Sequence, residues 1–372
     1  MKLIRTEDAV GHVICHDITQ IIKGVTKDAV FRKGHIVREE DIPVLLSVGK
    51  EHLYVWEKQE GMLHEDEAVL LLRDICLGDC LSADDSSTIA TEAYLQKHHM
   101  RQTEIKEGKL ELIADCNGLL KINKQKLNAL NAVGELMIAT RHGNTAVRAG
   151  DKLAGMRVIP LVIEEAKLAH AREVIRKIAE DTDNTDNTEE DTPIVQILPF
   201  KSKKVGIVTT GSEVYHGRIK DTFTPVIYEK LSEFDAEVIG QVLCDDNHEK
   251  ITEAIRQLID DGADMVVCLG GMSVDPDDRT PLAIKNACKA VVTYGAPVLP
   301  GAMFMLAYDE NGNPVLGLPG CVMYAKRTIF DLVLPRLMAD ERLCDKDLSI
   351  LGEGGLCLSC EVCTFPNCGF GK

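Results

Sequence analysis

The chain has 372 residues, which is too long for one compact core and predicts two or three domains. Hydrophobic residues make up 45% of the sequence and charged residues 27%, as in soluble globular proteins. Lys and Arg number 42 against 59 Asp and Glu, which gives a formal charge of −17. Because such an acidic surface repels phosphodiester backbones, the composition argues against nucleic acid as a partner.

The sequence also bears on the compartment. The N-terminus has no long apolar run behind its basic start, so no secretory signal is expected. No segment approaches the roughly 20 apolar residues that span a bilayer. Nine of the 13 cysteines are scattered in or near apolar runs, which is typical of buried free thiols in a reducing compartment. We therefore expect a cytoplasmic protein that does not bind membranes.

The first 180 residues mix short strands and helices. A small α+β unit is expected over residues 1–60 and a mixed α/β domain over residues 61–180. The spacing of the apolar residues predicts helices at Glu39–Val48, His64–Leu77 and from Glu164 to about Ala179, and strands at Leu53–Trp56, Leu110–Ala114, Leu119–Ile122, Glu135–Thr140 and Val158–Ile163.

An acidic segment without any apolar residue follows, from Asp181 to Asp191. It cannot bury enough surface to order itself, so residues 181–192 are predicted to be a linker. A cation-binding role for its carboxylates is the less favoured alternative.

Beyond the linker, short apolar strands alternate with helices, which is typical of parallel βαβ units. Residues 193–342 are expected to form this α/β domain. The predicted strands are Lys204–Thr209, Glu237–Leu243, Met265–Leu269 and Val315–Leu318, and the predicted helices are Thr224–Phe234, His248–Asp261, Pro281–Ala287 and Cys321–Met338. In such sheets, ligands bind at the carboxyl ends of the strands.

Three loops of unusual composition follow three of these strands, over residues 209–221, 270–281 and 317–321. Glycine lets backbone amides approach a ligand closely, and a helix N-terminus adds positive potential. The loops could therefore bind a phosphate without a lysine. Each loop alone is more often a plain turn, but three at strand ends are hard to explain by turns alone.

Carboxylates accompany these loops. Asp245 and Asp246 follow the strand that ends at Leu243, and three more acids lie in the second loop, namely Asp275, Asp277 and Asp278. Mg²⁺ prefers such oxygen ligands together with substrate phosphate. Alternatively, an Asp-Asp pair before a helix caps its free amides.

The same residues resemble the molybdopterin-binding domain of molybdopterin molybdotransferases, gephyrin-type enzymes and adenylyltransferases. The match extends over residues 203–337 and rests on Thr210-Gly211-Ser212-Glu213, Asp245-Asp246, Gly270-Gly271-Met272-Ser273-Val274 with Asp278 and Thr280, and Gly317-Leu318-Pro319-Gly320. The N-terminal half is similar, more weakly, to compact molybdopterin-binding proteins. The resemblance implies a three-layer α/β sandwich with a mostly parallel sheet, preceded by a smaller β-rich α+β domain.

The resemblance also implies a reaction, in which molybdate is inserted into adenylylated molybdopterin and AMP is released, with Mg²⁺ present. It assigns pterin binding to Thr210, Gly211, Ser212, Gly270, Gly271, Ser273, Thr280, Pro319 and Gly320. It assigns catalysis to Glu213, Asp245, Asp246 and Asp278, of which Asp245 and Asp278 would hold Mg²⁺. It further implies a homodimer and a recipient molybdoenzyme as partner.

Two features depart from the family pattern and leave alternatives open. Ser212 stands where the family usually has Asp, and the N-terminal region lacks the family's Met-Asp-Gly-Tyr-Ala segment. One alternative is a nucleotide pyrophosphohydrolase of the competence-damage-inducible type, to which residues 217–221 and 277–280 are similar. The other is a non-catalytic molybdopterin carrier or sensor.

The predicted C-terminal tail, residues 343–372, contains the other four cysteines. Their spacing is C-x2-C-x2-C-x4-C, at Cys357, Cys360, Cys363 and Cys368. This is close to the ferredoxin spacing, and four thiolates equally suit zinc. We therefore expect a metal centre, either an iron–sulfur cluster or zinc, with redox-active free thiols as the alternative.

Overall fold

The structure is a computed structural model that describes residues 2–22, 26–55, 60–78, 88–180, 192–273, 275 and 278–372. The described residues form two compact units. The first unit lies within Met1–Asp115, Ile122–Arg141 and Ala149–Gln196, and the second within Cys116–Lys121, His142–Arg148 and Ile197–Lys372. The finer division expected from the sequence stays a prediction, and the acidic segment 181–191 lies outside the described residues.

The strands, in chain order, are β1 (Lys2–Arg5), β2 (Ile18–Ile22), β3 (Thr26–Phe31), β4 (His52–Val55), β5 (Met62–His64), β6 (Met100–Gln102), β7 (Lys109–Ala114), β8 (Gly118–Ile122), β9 (Leu136–Thr140), β10 (Thr145–Val147), β11 (Lys152–Val158), β12 (Val162–Glu164), β13 (Val195–Pro199), β14 (Lys204–Thr210), β15 (Glu237–Cys244), β16 (Met265–Leu269), β17 (Ala290–Tyr294), β18 (Met305–Tyr308) and β19 (Pro314–Leu318). The helices are α1 (Asp41–Ser47), α2 (Glu65–Cys76), α3 (Thr88–Lys97), α4 (Lys124–Ala132), α5 (Glu165–Glu180), α6 (Ser212–Tyr215), α7 (Phe223–Ser232), α8 (His248–Asp260), α9 (Thr280–Ala287), α10 (Ile329–Met338) and α11 (Asp345–Ser349). No described helix is long and apolar enough to cross a membrane.

The first unit is rich in antiparallel strands. Its largest sheet has the order β6-β7-β11-β9, and β2 pairs with β3, β1 with β4, and β5 with β12. Helix α2 begins at a capping box: the His64 ring accepts the Asp66 amide at 3.1 Å, and the Glu67 carboxylate accepts the His64 amide at 3.0 Å. This cap fixes the point at which the chain leaves β5 for the helix.

Glu65, the first residue of α2, has a carboxyl group that titrates abnormally. Burial, with the Asp66 carboxylate adding to it, raises the pKa of Glu65 from 4.5 to about 7. Between these pH values the folded state binds more protons than the unfolded chain, so the free energy of unfolding falls as pH rises. The free energy of unfolding of Glu65→Gln should therefore be about 3 kcal/mol higher than that of wild type above pH 7, and equal to it near pH 4.

This difference can be measured by urea unfolding across that pH range. Far-UV circular dichroism can report it. Glu104→Gln is a suitable control because Glu104 is exposed. An equal stability gain at all pH values would contradict the assigned cause.

The second unit is a three-layer α/β sandwich, as expected from the sequence. Its sheet has the order β15-β14-β16-β19-β18-β17; the first four strands are parallel, and β18 is antiparallel to both neighbours. Alternate residues of β16 pack into two separate cores: Met265, Val267 and Leu269 face α7 and α10, whereas Val266 and Cys268 face α8 and α9. This period of two, in a strand buried on both faces, is what a central parallel strand requires.

The structure differs from the sequence prediction at several elements. The predicted helix Cys321–Met338 is wrong in its first half: residues 320–323 form a 3-10 turn, and α10 begins only at Ile329. The predicted strand Val158–Ile163 is wrong as one element, because β11 ends at Val158 and β12 begins at Val162. The sequence prediction also missed β17 and β18, two short strands of the second sheet.

Candidate functional site

The four parallel strands of the second sheet bring their carboxyl ends to one edge. Thr210, the last residue of β14, is level with Cys244 of β15, and Thr209 is level with Leu269 of β16. Leu269 in turn is level with Leu318 of β19. The loops after these strands therefore lie side by side, and they are the loops predicted to bind a ligand.

Ser212 and Asp246 join the loops that follow β14 and β15. The Ser212 amide and hydroxyl both donate to Asp246 Oδ2, at 3.0 and 2.7 Å. The neighbouring carboxylate, Asp245, forms an ion pair with Lys250 at 2.7 Å. That hydrogen bond from Lys250 lowers the pKa of Asp245, which is therefore a carboxylate at neutral pH.

Asp245 and Asp246 could instead be expected to cap helix α8, but a different residue caps this helix. The Asn247 side chain accepts the amides of Glu249 and Lys250, at 2.8 and 3.3 Å. Asp246 therefore does not cap the helix and instead holds the loop that follows β14.

Gly270 and Gly271 form a tight turn after β16. Both have positive φ, 89° and 59°. A Cβ on Gly271 would lie 2.5 Å from Thr280 Oγ1, and a Cβ on Gly270 would lie 2.9 Å from the Thr210 carbonyl oxygen. Thr210 and Thr280 are buried, and their hydroxyls are 3.2 Å apart. Both the positive φ and the close neighbours require glycine at these two positions, so the turn has no side chains at the strand end.

Ser273 and Asp278 close the second loop. The Ser273 amide donates to Asp278 Oδ2 at 2.7 Å, and the Asp278 amide donates to the Asp275 carbonyl at 2.9 Å. The Asp278 carboxylate is also a predicted Mg²⁺ ligand. One of its two oxygens already accepts the Ser273 amide. Val274, Pro276 and Asp277 lie outside the described residues.

The third loop differs from its predicted form. Pro319 is buried and Gly320 is exposed, as a ligand-facing glycine would be. The expected long helix does not start here, however, because Gly320 opens a 3-10 turn of four residues. The positive potential of a helix N-terminus is therefore missing from this loop. Glu213, the remaining predicted catalytic acid, is exposed in α6.

A polar cluster joins Thr209 and Asp221 of the first loop to Gln241 and Thr224, which the sequence did not single out. Gln241 Nε2 lies 3.0 Å from three oxygens, those of Thr209, Thr224 and Asp221. Asp221 also accepts the amides of Phe223 and Thr224, each at 3.0 Å. Burial acts to raise the pKa of Asp221, but these hydrogen bonds, led by Thr224, outweigh it and lower the pKa. An Asp two residues before an apolar helix was the available signal.

Neither predicted metal site is preformed. Among the residues that the structure describes, no three His, Cys, Asp or Glu side chains converge closely enough to hold a metal ion. Asp245 and Asp278 have the right chemistry for Mg²⁺, but each has another partner, and their Mg²⁺ role stays a prediction. In the tail, Cys360 and Cys363 are exposed free thiols, and Cys357 and Cys368 are half-buried.

Of the eight scattered cysteines that the structure describes, four are buried free thiols as expected, three are half-buried and one is exposed. Burial raises the pKa of Cys76 to about 12 and also raises the pKa of Cys268. Cys15 and Cys244 are buried as well, whereas Cys344 is exposed. The buried thiols are therefore protonated and unreactive at neutral pH.

Two segments of the chain match known families. Residues 206–339 match the family described as a probable molybdopterin binding domain. Residues 3–57 match a domain of unknown function, DUF8806. The first match covers all three predicted ligand loops and most of the strands that carry them.

Curated relatives are similar over short stretches. A CinA-like protein of Mycobacterium avium (strain 104) is 34% identical over 97 residues, which are 26% of this chain and 22% of that protein. A CinA-like protein of Mycobacterium tuberculosis (strain ATCC 25177 / H37Ra) is 33% identical over 87 residues, 23% of this chain and 20% of that protein. The chain thus spans about a fifth of the length of these relatives.

Solved structures are similar to part of the chain. A molybdopterin biosynthesis enzyme, MoaB from Thermus thermophilus, aligns with 37% of this chain and 98% of its own, at 23% identity and a TM-score of 0.33. The protein CinA from Thermoplasma acidophilum aligns with 32% of this chain and 89% of its own, at 20% identity and a TM-score of 0.28.

Proposed function

Because residues 206–339 match the family of probable molybdopterin-binding domains, we propose that the chain binds adenylylated molybdopterin and inserts molybdate into it, releasing AMP. The observation that carries this proposal is that the glycine turn Gly270-Gly271 and the Ser212–Asp246 contact lie at the same edge of the parallel sheet. The resemblance also implies a homodimer and a recipient molybdoenzyme, which remain part of the proposal.

The glycine turn is the proposed binding site for the phosphates of the ligand. Its two residues have no side chain to exclude a ligand from the backbone. The side chains of Thr210 and Thr280 lie against the turn, and their hydroxyls are hydrogen-bonded to each other. Helix α9 begins at Thr280, within the second loop, so the free amides of its first turn lie at the same edge, apart from Pro281, which has no amide hydrogen. Backbone amides rather than a lysine would bind an anionic pyrophosphate bridge. Such local binding does not depend on the net charge of the chain, which is −17.

The carboxylates are proposed to act on the reacting end of the ligand. Asp246 positions the first loop through Ser212. Asp278 positions the second loop through the Ser273 amide, and its second oxygen remains for the ligand side. In the proposed reaction these residues orient the ligand and tune local charge, and none of them is required as a covalent nucleophile.

Mg²⁺ enters the proposal only with the substrate. The acids Asp245, Asp246 and Asp278 are the kind of ligand that Mg²⁺ takes, but they do not converge on a common point. Mg²⁺ is often bound by one or two carboxylates plus substrate phosphates, so the phosphates of the ligand would complete its coordination.

A second candidate function is hydrolysis of a nucleotide pyrophosphate. It is favoured by the curated relatives, which are CinA-like proteins at up to 34% identity. It also has a local basis, because Asp221, in the motif that suggested it, is held by Gln241 beside the first loop. A non-catalytic carrier is the third candidate, and Ser212 in place of the family's Asp supports it.

One experiment separates these candidates. The protein is incubated anaerobically with adenylylated molybdopterin and Mg²⁺, with and without molybdate, and in parallel with ADP-ribose and Mg²⁺, and AMP is quantified by chromatography. We expect AMP release that requires molybdate. Rapid AMP release from ADP-ribose would replace the proposal with the hydrolase, and binding of the pterin without AMP release would replace it with the carrier.

A further inference from the structure

The C-terminal cysteines surround a cavity that neither the matched family segment nor the proposed function accounts for. Cys357, Cys360, Cys363 and Cys368 all line this one cavity, whose volume is about 460 Å³. All four are free thiols. Four thiols that approach a common space from a stretch of 12 residues are a ligand set rather than core packing.

The segment that carries these cysteines is closed at its base. At its start, the Cys357 amide donates to the Leu299 carbonyl at 2.8 Å, and the Leu299 amide donates to the Gly355 carbonyl at 2.8 Å. At its end, Phe370 is 4% exposed in the main core, and the Gly371 amide donates to the Gly354 carbonyl at 3.0 Å. The cysteines therefore sit on a loop with both ends fixed, which presents them to the cavity together.

Two cationic side chains line the same cavity. Lys326 donates to the carbonyl oxygens of Cys360 and Glu361, at 3.4 and 2.6 Å, and so holds the middle of the loop. Arg327 stacks 5.1 Å from the centre of the Phe365 ring and pairs with Asp331 at 2.8 Å. Both cations therefore lie at the cavity that the four thiols line.

A single zinc ion requires its four sulfurs to lie close together. Zinc holds four sulfurs at about 2.3 Å, so the sulfurs of a zinc site lie about 3.8 Å apart. Within the described residues no three such side chains converge in this way, although these four line one cavity. The cavity, with a volume of about 460 Å³, has room for a polynuclear group.

We propose that Cys357, Cys360, Cys363 and Cys368 bind an iron–sulfur cluster in this cavity. The spacing C-x2-C-x2-C of the first three favours the [4Fe–4S] form, in which three neighbouring thiolates hold one cluster and a fourth completes it. Lys326 and Arg327 offset the negative charge of the four thiolates. This site is independent of the proposed pterin reaction, and either can fail without the other.

The test is metal analysis of the full chain, purified anaerobically or reconstituted with ferrous iron and sulfide. We expect about four iron and four acid-labile sulfide per chain, with visible charge-transfer absorption that dithionite bleaches. The double variant Cys360→Ser/Cys363→Ser should lose both. These two thiols are exposed, so the substitutions should leave the fold, checked by circular dichroism, unchanged.

Cys344→Ser is the matched control, because Cys344 is also an exposed thiol but does not line the cavity. It should retain the full iron and sulfide content. One zinc per chain without sulfide would overturn the cluster, and so would iron that is retained in the double variant or a chain without any metal.

Discussion

Gly271→Ala is expected to weaken binding of adenylylated molybdopterin by about tenfold or more. Gly271 has a φ of 59°, which an L residue adopts only at a cost of about 1 kcal/mol or more. The added Cβ would also lie 2.5 Å from Thr280 Oγ1 and 3.1 Å from Thr210 Oγ1, so the turn must move. Because the turn supplies the backbone to the ligand, a displacement that costs about 1.4 kcal/mol in binding corresponds to a tenfold loss.

Two further variants separate strain from the steric clash. Gly262→Ala is the matched control, since Gly262 has a φ of 95° and no atom within 4 Å of the position that a Cβ would take. It should lower stability slightly and leave ligand binding unchanged. Thr280→Ala combined with Gly271→Ala removes the closest clashing atom and should recover part of the affinity, relative to Thr280→Ala alone.

Binding can be followed by isothermal titration with the anaerobically prepared ligand, and folding by thermal unfolding of each variant. If Gly271→Ala binds the ligand as tightly as wild type, the glycine turn is not the binding site. The proposed function would then lose its main structural support.

The parallel core could be predicted from the sequence because its signals are local. Strands β14 and β16 are short apolar runs, and α8 has an apolar stripe at helical spacing, so each element is recognisable on its own. Alternation of such strands and helices then fixes the parallel arrangement and the edge at which the loops meet. The placement of the candidate site follows from these steps alone.

The start of α10 could not be placed as easily. Val322 and Met323 continue an apolar pattern toward the helix, which made a single long helix plausible. The chain is extended at Thr328, whose hydroxyl accepts the Phe330 amide, while the Asp331 carboxylate accepts the Thr328 amide. A Thr followed three residues later by an acid was the local signal that marks this boundary.

The missed strand β18 also had a local signal. Between β18 and β19 the chain turns at Asn311-Gly312-Asn313, a sequence typical of a hairpin. Asp309, which is buried, holds this turn by accepting the amides of Asn311 and Asn313, at 2.8 and 2.7 Å. Strands β17 and β18 are short, so the alternation of strands and helices around them was the stronger signal.

The side-chain pairings within the site could not be predicted from the sequence. Ser212 and Asp246 are 34 residues apart and meet only because β14 and β15 are neighbours. The motifs identified the residues but not the strand order. The substitution of Ser for the family's Asp therefore has a structural consequence that the sequence hid: Ser212 donates to Asp246, where a second carboxylate would repel it.

Asp278→Asn is expected to lower molybdate-dependent AMP release by about 100-fold, with pterin binding little changed. Loss of one positioned electrostatic group typically costs this much in rate. Asn is close in shape to Asp, and its carbonyl oxygen can still accept the Ser273 amide, now at 2.7 Å from Asp278 Oδ2. The variant thus keeps the loop and removes the charge.

Asp278→Ala completes the comparison, because it removes both the charge and the acceptor for the Ser273 amide. It should lose AMP release to the same extent as Asp278→Asn and should also bind the pterin more weakly, since the second loop is released. Asp260→Asn, at an exposed acid at the end of α8, is the control and should behave as wild type. Single-turnover AMP release and equilibrium titration measure the two effects separately. A fully active Asp278→Asn beside an impaired Asp278→Ala would show that Asp278 only positions the loop, because the charge is the sole difference that the first variant makes.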